Sequence, residues 1–142
     1  MKGTRSRHWS ARSAVLALII LTNIGLSYHR NSIYGSTLTL WQDVATKNPK
    51  RARAHNNLGN AYLGLGMLPL AVEEYKRTIA LDRYFVKAYY NLGMALESMG
   101  KPADAVYYYG VFCSKSPPDP YRPVACERYQ VLTRNAGKEK RP

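Results

Sequence analysis

The side chains best suited to acid–base work, Glu73 and Glu74, are neighbours in the chain. Adjacent residues on a helix point about 100° apart, so these carboxylates do not converge as a dyad and read as a solvated face. His8, His29 and His55 show no ligand spacing, so no metal site is expected. Cys113 and Cys126 make neither a Cys-x-x-Cys nor a haem-attachment pattern. No Gly-x-Ser-x-Gly elbow, phosphate loop, His-Glu-x-x-His or dinucleotide fingerprint occurs. The chemistry on offer is binding, without catalysis and without a cofactor. Its candidates are Arg53, Asn57, Asn60, Lys87 and Asn91, with Tyr90 and Met94 beside them, and the aromatic pair Tyr107 and Tyr108.

A repeat of 34 residues positions these side chains. Sliding the chain against itself by 34 places Ala54 on Ala88, Asn57 on Asn91, Leu58 on Leu92 and Gly59 on Gly93. Gly66 then falls on Gly100, Ala71 on Ala105 and Tyr75 on Tyr109, without a gap between residues 52–85 and 86–119. Each block reads as helix, glycine turn, helix. Gly66 and Gly100 suit the left-handed residue that ends a first helix, and Pro69 and Pro102 suit the first turn of a second. The small residues Gly59, Gly93, Ala71 and Ala105 allow paired helices to approach closely, with Tyr75 and Tyr109 filling the space between pairs.

The pattern His55-x-x-Leu58-Gly59-x-x-Tyr62, followed by Ala71, Tyr75 and Leu81-Asp82, resembles the tetratricopeptide repeat. The second copy has Tyr89-x-x-Leu92-Gly93-x-x-Leu96, then Ala105, Tyr109 and Pro117; it departs at Leu96, and the first copy carries Arg83 where proline is usual. The resemblance implies an all-α helical solenoid with a concave face lined by the first helix of each pair. That face is expected to carry Arg53, Asn56, Asn57, Asn60 and Gly64 from the first copy and Lys87, Tyr90, Asn91, Met94 and Ser98 from the second. In chaperone adaptors of this family, Asn and Lys/Arg at such positions clamp a peptide's terminal carboxylate. Asn57, Asn60, Asn91 and Lys87 match that pattern, whereas Asn56 replaces an expected lysine. The alternative is that the asparagines bond neighbouring backbone.

The ends of the chain suggest a membrane. Lys2, Arg5, Arg7 and Arg12 precede a hydrophobic segment, and the C-terminus carries a net +3, so residues 35–133 hold only +4 of the total +12. No basic stripe interleaved with stacking aromatics appears in the body, and nucleic acid is not an expected partner. Trp9 and Tyr28 bound 20 residues, about 30 Å of helix, and would sit at the two membrane interfaces. The expectation is a single-pass signal anchor with a cytoplasmic N-terminus and the repeats on the periplasmic or extracytoplasmic side. The parts are then a basic leader (1–12), a transmembrane helix (13–30), a partial repeat (31–51), two full repeats (52–85 and 86–119), a capping helix (120–135) and a basic tail (136–142).

The register also runs backwards, placing Trp41 on Tyr75, so that residues 36–47 form the second helix of an earlier repeat. Its first helix would be residues 18–31, where Asn23-Ile24-Gly25-x-x-Tyr28 matches Asn57-Leu58-Gly59-x-x-Tyr62. The favoured arrangement is a helix that leaves the membrane and continues against Trp41. Of Tyr107, Tyr108 and Tyr109, the last is the core residue. One of the other two must reach the convex surface, either as a partner site or as packing on the capping helix. Cys113 and Cys126 are either a bridge that pins this cap or two buried thiols.

Residues 14–100 also resemble the junction between the last membrane helix and the repeats in transmembrane-and-tetratricopeptide glycosyltransferases. The matching features are Arg30-Asn31, Leu40-Trp41-Gln42-Asp43, Lys47-Asn48-Pro49 and residues 52–59. Those enzymes' catalytic loops have no counterpart here. The expected role is a non-catalytic interaction, scaffold or accessory subunit of a membrane complex, with other proteins as partners; the alternative is a module supporting a membrane glycosyltransferase or assembly machinery.

Overall fold

The structure, a computed structural model, describes residues 11–139. Among them are six helices and no strand: α1 (Ala11–Lys47), α2 (Ala52–Gly64), α3 (Leu68–Leu81), α4 (Val86–Ser98), α5 (Pro102–Lys115) and α6 (Arg122–Glu139). The chain divides into two units, one up to Ile33 and one from Tyr34.

In the first unit the helix exposes its apolar side chains: Val15, Leu16, Leu18, Ile19, Ile20, Leu21, Ile24 and Leu26 all face solvent. Thr22 donates to the carbonyls of Leu18 and Ile19, and Asn23 to that of Ile19 at 2.7 Å. Among the described residues no helix is long and apolar enough to cross a membrane. The unbroken apolar run, residues 14–21, makes only about 12 Å of helix, against a hydrocarbon core of about 30 Å. Thr22 and Asn23 end it, and His29 and Arg30 follow. The expected single-pass anchor over residues 13–30 is therefore overturned, and with it the cytoplasmic N-terminus, the periplasmic repeats and the interfacial role of Tyr28. Trp9 lies outside the described residues.

The second unit begins with the end of α1 and stacks consecutive helices: α2 on α3, α3 on α4, α4 on α5 and α5 on α6. Both helix hairpins turn on a left-handed glycine, Gly66 at φ 75° and Gly100 at φ 72°. At each, paired backbone bonds close the helix end: Met67 N–H to Tyr62 O and Gly66 N–H to Leu63 O in the first, Lys101 N–H to Leu96 O and Gly100 N–H to Glu97 O in the second. Prolines then occupy the first turn of α3 and of α5.

Packing within each hairpin depends on a glycine under a tyrosine. A Cβ on Gly59 would stand 2.6 Å from the ring of Tyr75, and one on Gly93 would stand 2.8 Å from that of Tyr109. Both rings are buried, alongside Ala71, Leu92, Ala105 and Phe112. At Gly25, the supposed counterpart in an earlier repeat, a Cβ would meet nothing within 4 Å. Residues 36–47 are helical, at the end of α1. Trp41 and Val44 pack on a smaller core of Ala45, Ala54 and Leu58.

His55 is buried, with Nδ1 2.6 Å from Glu74 Oε2 and Nε2 3.0 Å from the Pro49 carbonyl. A carbonyl only accepts, so Nε2 carries a proton and the ring ties the turn before α2 to α3. Glu74 is thus half-buried in a side-chain pair rather than solvated, and only Glu73 is exposed. A disulfide joins Cys113 on α5 to Cys126 on α6, with Cα atoms 5.4 Å apart. Glu97 accepts from the hydroxyl of Tyr109 at 2.9 Å and from Arg128, linking α4, α5 and α6. α6 continues to Glu139, beyond residue 135, where the sequence suggests a tail.

Two outcomes follow from this packing. Gly93→Ala forces the buried Tyr109 ring to move and should cost about 1–3 kcal/mol in urea unfolding, whereas Gly25→Ala should not destabilise the fold. Reducing the Cys113–Cys126 bridge, which closes a short loop, should lower stability by about 3 kcal/mol, read as a fall in Tm on adding dithiothreitol.

Candidate functional site

The first helices of the two hairpins present matching faces. Arg53, Asn56, Asn57 and Asn60 recur on α2 at three- and four-residue steps, and Lys87, Tyr90, Asn91 and Met94 do so on α4. These eight side chains line one hollow of about 650 Å³, closed by Phe85 and Tyr121. A second hollow of about 410 Å³ shares Tyr90 and Met94 and extends to Glu97, Val124 and Arg128. Of the ten residues expected on the concave face, eight line the first hollow and Ser98 the second, while Gly64 lines neither.

The asparagines bond one another across the repeats rather than the backbone. Asn91 Nδ2 donates to Asn56 Oδ1 at 3.1 Å and to Asn60 Oδ1 at 3.2 Å. Asn60 Oδ1 also accepts from the Tyr75 hydroxyl at 2.9 Å, so the core tyrosine orients a groove amide. Asn56 Nδ2 reaches Asn57 Oδ1 at 3.4 Å. The amide oxygens of Asn56, Asn57 and Asn60 thus accept from neighbouring N–H and O–H groups, which leaves the amide N–H groups of Asn57 and Asn60 for a ligand.

Arg53 is exposed and has no ion-pair partner among the described residues. Lys87 Nζ lies 3.6 Å from Asp119 Oδ2. Tyr90 is the aromatic centre of the site: Tyr121 stacks on it at 5.5 Å between centroids, and Phe112 lies at 5.2 Å. The hollow thus combines two cations, four amides and the aromatic cluster around Tyr90.

Phe85, Asp119 and Tyr121 are absent from the sequence-derived site, as are Val124 and Arg128. The 34-residue register, extended forwards, finds three of them. Lys87 plus 34 is Tyr121, Tyr90 plus 34 is Val124 and Met94 plus 34 is Arg128. The capping helix α6 thus stands in the register of a third first helix, and its concave positions line the groove.

On the opposite side, Tyr107 is 65% exposed and meets Tyr108 edge-on at 5.1 Å. Tyr108 is half-buried against Tyr89 at 6.4 Å. With Lys76 and Asp104 these two tyrosines border a separate hollow of about 460 Å³. Among the described residues no three or more His, Cys, Asp or Glu side chains are grouped to hold a metal ion.

The tetratricopeptide-repeat family matches residues 52–85, and a second match covers 74–107, straddling the end of one hairpin and the start of the next. The chain carries tetratricopeptide repeats. U-box domain-containing protein 70 of Oryza sativa subsp. japonica is 30% identical over 91 residues, a match covering 63% of this chain and 11% of that protein. The chain therefore spans about a ninth of that relative's length.

Among solved structures, the first tetratricopeptide domain of Spaghetti (RPAP3) bound to an HSP90 peptide superposes with a TM-score of 0.66 at 19% identity. That match covers 84% of this chain and 94% of the other. The TPR2B domain of yeast Sti1, in a complex with an Hsp70 partner, gives 0.67 at 19% identity, covering 78% and 91%. The Yersinia enterocolitica type III secretion chaperone SycD, with a peptide of the translocator YopD, gives 0.68 at 14% identity, covering 84% and 95%. At these identities the structures share the fold. None of these matches supports the resemblance of residues 14–100 to a glycosyltransferase junction.

Burial around the groove shifts its tyrosines one way. It pushes the Tyr109 hydroxyl up to about 12 and Tyr75 higher still. It also raises Tyr90, with the neighbouring Tyr121 and Asp119 adding to the effect. Between the ordinary tyrosine value and these raised ones, the folded chain holds more protons than the unfolded chain, so stability falls as pH rises. Stability from these groups should be intact below pH ~10 and lost above it, with tyrosinate absorbance rising together with unfolding.

Proposed function

We propose that this chain is a peptide-binding module that recognises partners through an acidic, extended segment laid in the concave groove. The observation that carries the reading is the composition of the 650 Å³ hollow: two cations and four asparagines, without a Ser, Cys, His or carboxylate side chain among its lining residues. Arg53 and Lys87 attract a carboxylate, and the N–H groups of Asn57 and Asn60 donate to it. Asn91 holds the Asn60 amide and Asn56 that of Asn57, and Tyr90 and Met94 take an adjacent apolar side chain. With no nucleophile beside a base, the groove is built to hold a ligand rather than to change it.

The bound peptides in the RPAP3 and SycD structures support this reading by showing what relatives of this fold hold. In a larger assembly the module acts as an adaptor or scaffold, gripping a partner by one exposed segment. Tyr107, on the convex side, offers a second surface for another protein.

The HSP90 peptide of the RPAP3 complex, SRMEEVD, is a suitable probe. By fluorescence anisotropy the labelled peptide should bind. Arg53→Ala, or replacing the peptide's terminal carboxylate with an amide, should weaken binding about tenfold, or ~1.4 kcal/mol. Equal affinity for the acid and amide forms would show that the groove does not read the carboxylate.

A further inference from the structure

We infer that Asp119 is a resident competitor for Lys87, so the segment between α5 and α6 restricts which acidic ligands the groove accepts. The inference rests on the peptide-binding reading above and adds a specificity determinant within the same site.

Asp119 lies in the run Pro117-Pro118-Asp119-Pro120-Tyr121, where the chain passes from α5 to α6. Its carboxylate reaches back to α4 and stands 3.6 Å from Lys87 Nζ, too long for a hydrogen bond but close enough for attraction. Two residues on, Tyr121 stacks over Tyr90, so the same segment meets both a cation and the aromatic cluster of the groove. A carboxylate followed by an aromatic ring has the chemistry the groove is built to receive, and here the chain itself supplies both.

The segment is preorganised for this position. Its prolines remove backbone freedom, so little entropy is lost in holding it there. Asp119 Oδ1 accepts the Tyr121 N–H at 2.9 Å, and the Asp119 carbonyl accepts the Arg122 N–H at 3.0 Å, which leads the chain into α6. The Cys113–Cys126 disulfide brackets the segment from both sides.

The contact is also weak enough to be displaced. Lys87 is 61% exposed while Asp119 is 11% exposed, so the ammonium can swing to an incoming ligand while the carboxylate stays. An incoming carboxylate then competes with Asp119 for Lys87, and its gain is reduced by the attraction it displaces. Arg53, at the matching position one repeat earlier, has no such competitor and offers the first hold.

Asp119→Asn separates these roles, because the amide oxygen still accepts the Tyr121 N–H while the charge is lost. Affinity for labelled SRMEEVD should rise about fivefold at low ionic strength, and the gain should vanish at ~1 M salt. In a Lys87→Met background, Asp119→Asn should give no gain, and thermal unfolding should show both variants folded. An unchanged or reduced affinity on Asp119→Asn, with Arg53-dependent binding in the unaltered chain, would overturn the competitor role and leave the peptide-binding reading standing. A gain that persists without Lys87 would also overturn it. Failure of both the unaltered chain and Asp119→Asn to bind would remove the peptide-binding reading and this inference together.

Discussion

The structure depends on two tyrosine rings that lie directly on glycine backbone. Gly59 under Tyr75 and Gly93 under Tyr109 bring the helices of each hairpin together, and any side chain at the glycine would occupy the ring's space. The contact is energetic as well as steric, because each ring is nearly or fully buried and each hydroxyl finds an acceptor. The Tyr75 hydroxyl donates a hydrogen bond to Asn60 on the groove surface, and that of Tyr109 donates to Glu97. The packing that closes each hairpin therefore also orients polar groups on the concave side.

The concave face is organised by satisfying the asparagine oxygens internally. Asn91 donates to both Asn56 and Asn60, so three amides from two helices form one lattice that lines the hollow. A lattice of neutral donors beside Arg53 and Lys87 favours an anion without the cost of burying opposed charges. The aromatic cluster around Tyr90 is built from three separate elements, α4, α5 and the segment before α6. Binding specificity is thus distributed over parts of the chain far apart in sequence.

The N-terminal reading failed for a physical reason that the residues already contain. Basic flanks and a pair of aromatics describe the borders of a membrane span, but the apolar stretch between them is interrupted by Thr22 and Asn23. The backward match at Gly25 reproduces the letters of Gly59, but within its own unit nothing packs on it. A repeat position has meaning only when its packing partner is present. The forward extension does have its partners, since Val124 and Arg128 of α6 line the groove.

From the residues alone came the helix hairpins, their glycine turns, the small residues that let paired helices approach and the concave set from Arg53 to Met94, but not the seating of Tyr75 and Tyr109 on glycine within each hairpin. These follow from local geometry: a period of 34 imposes the same contacts twice, and a left-handed turn needs glycine. Tertiary structure decided which way the asparagine amides turn, that Glu74 pairs with His55 instead of facing water, and that Asp119 and Tyr121 reach back to Lys87 and Tyr90. These contacts span 19 to 35 residues and have no local signature. Only the stacking of helices brings their partners within reach.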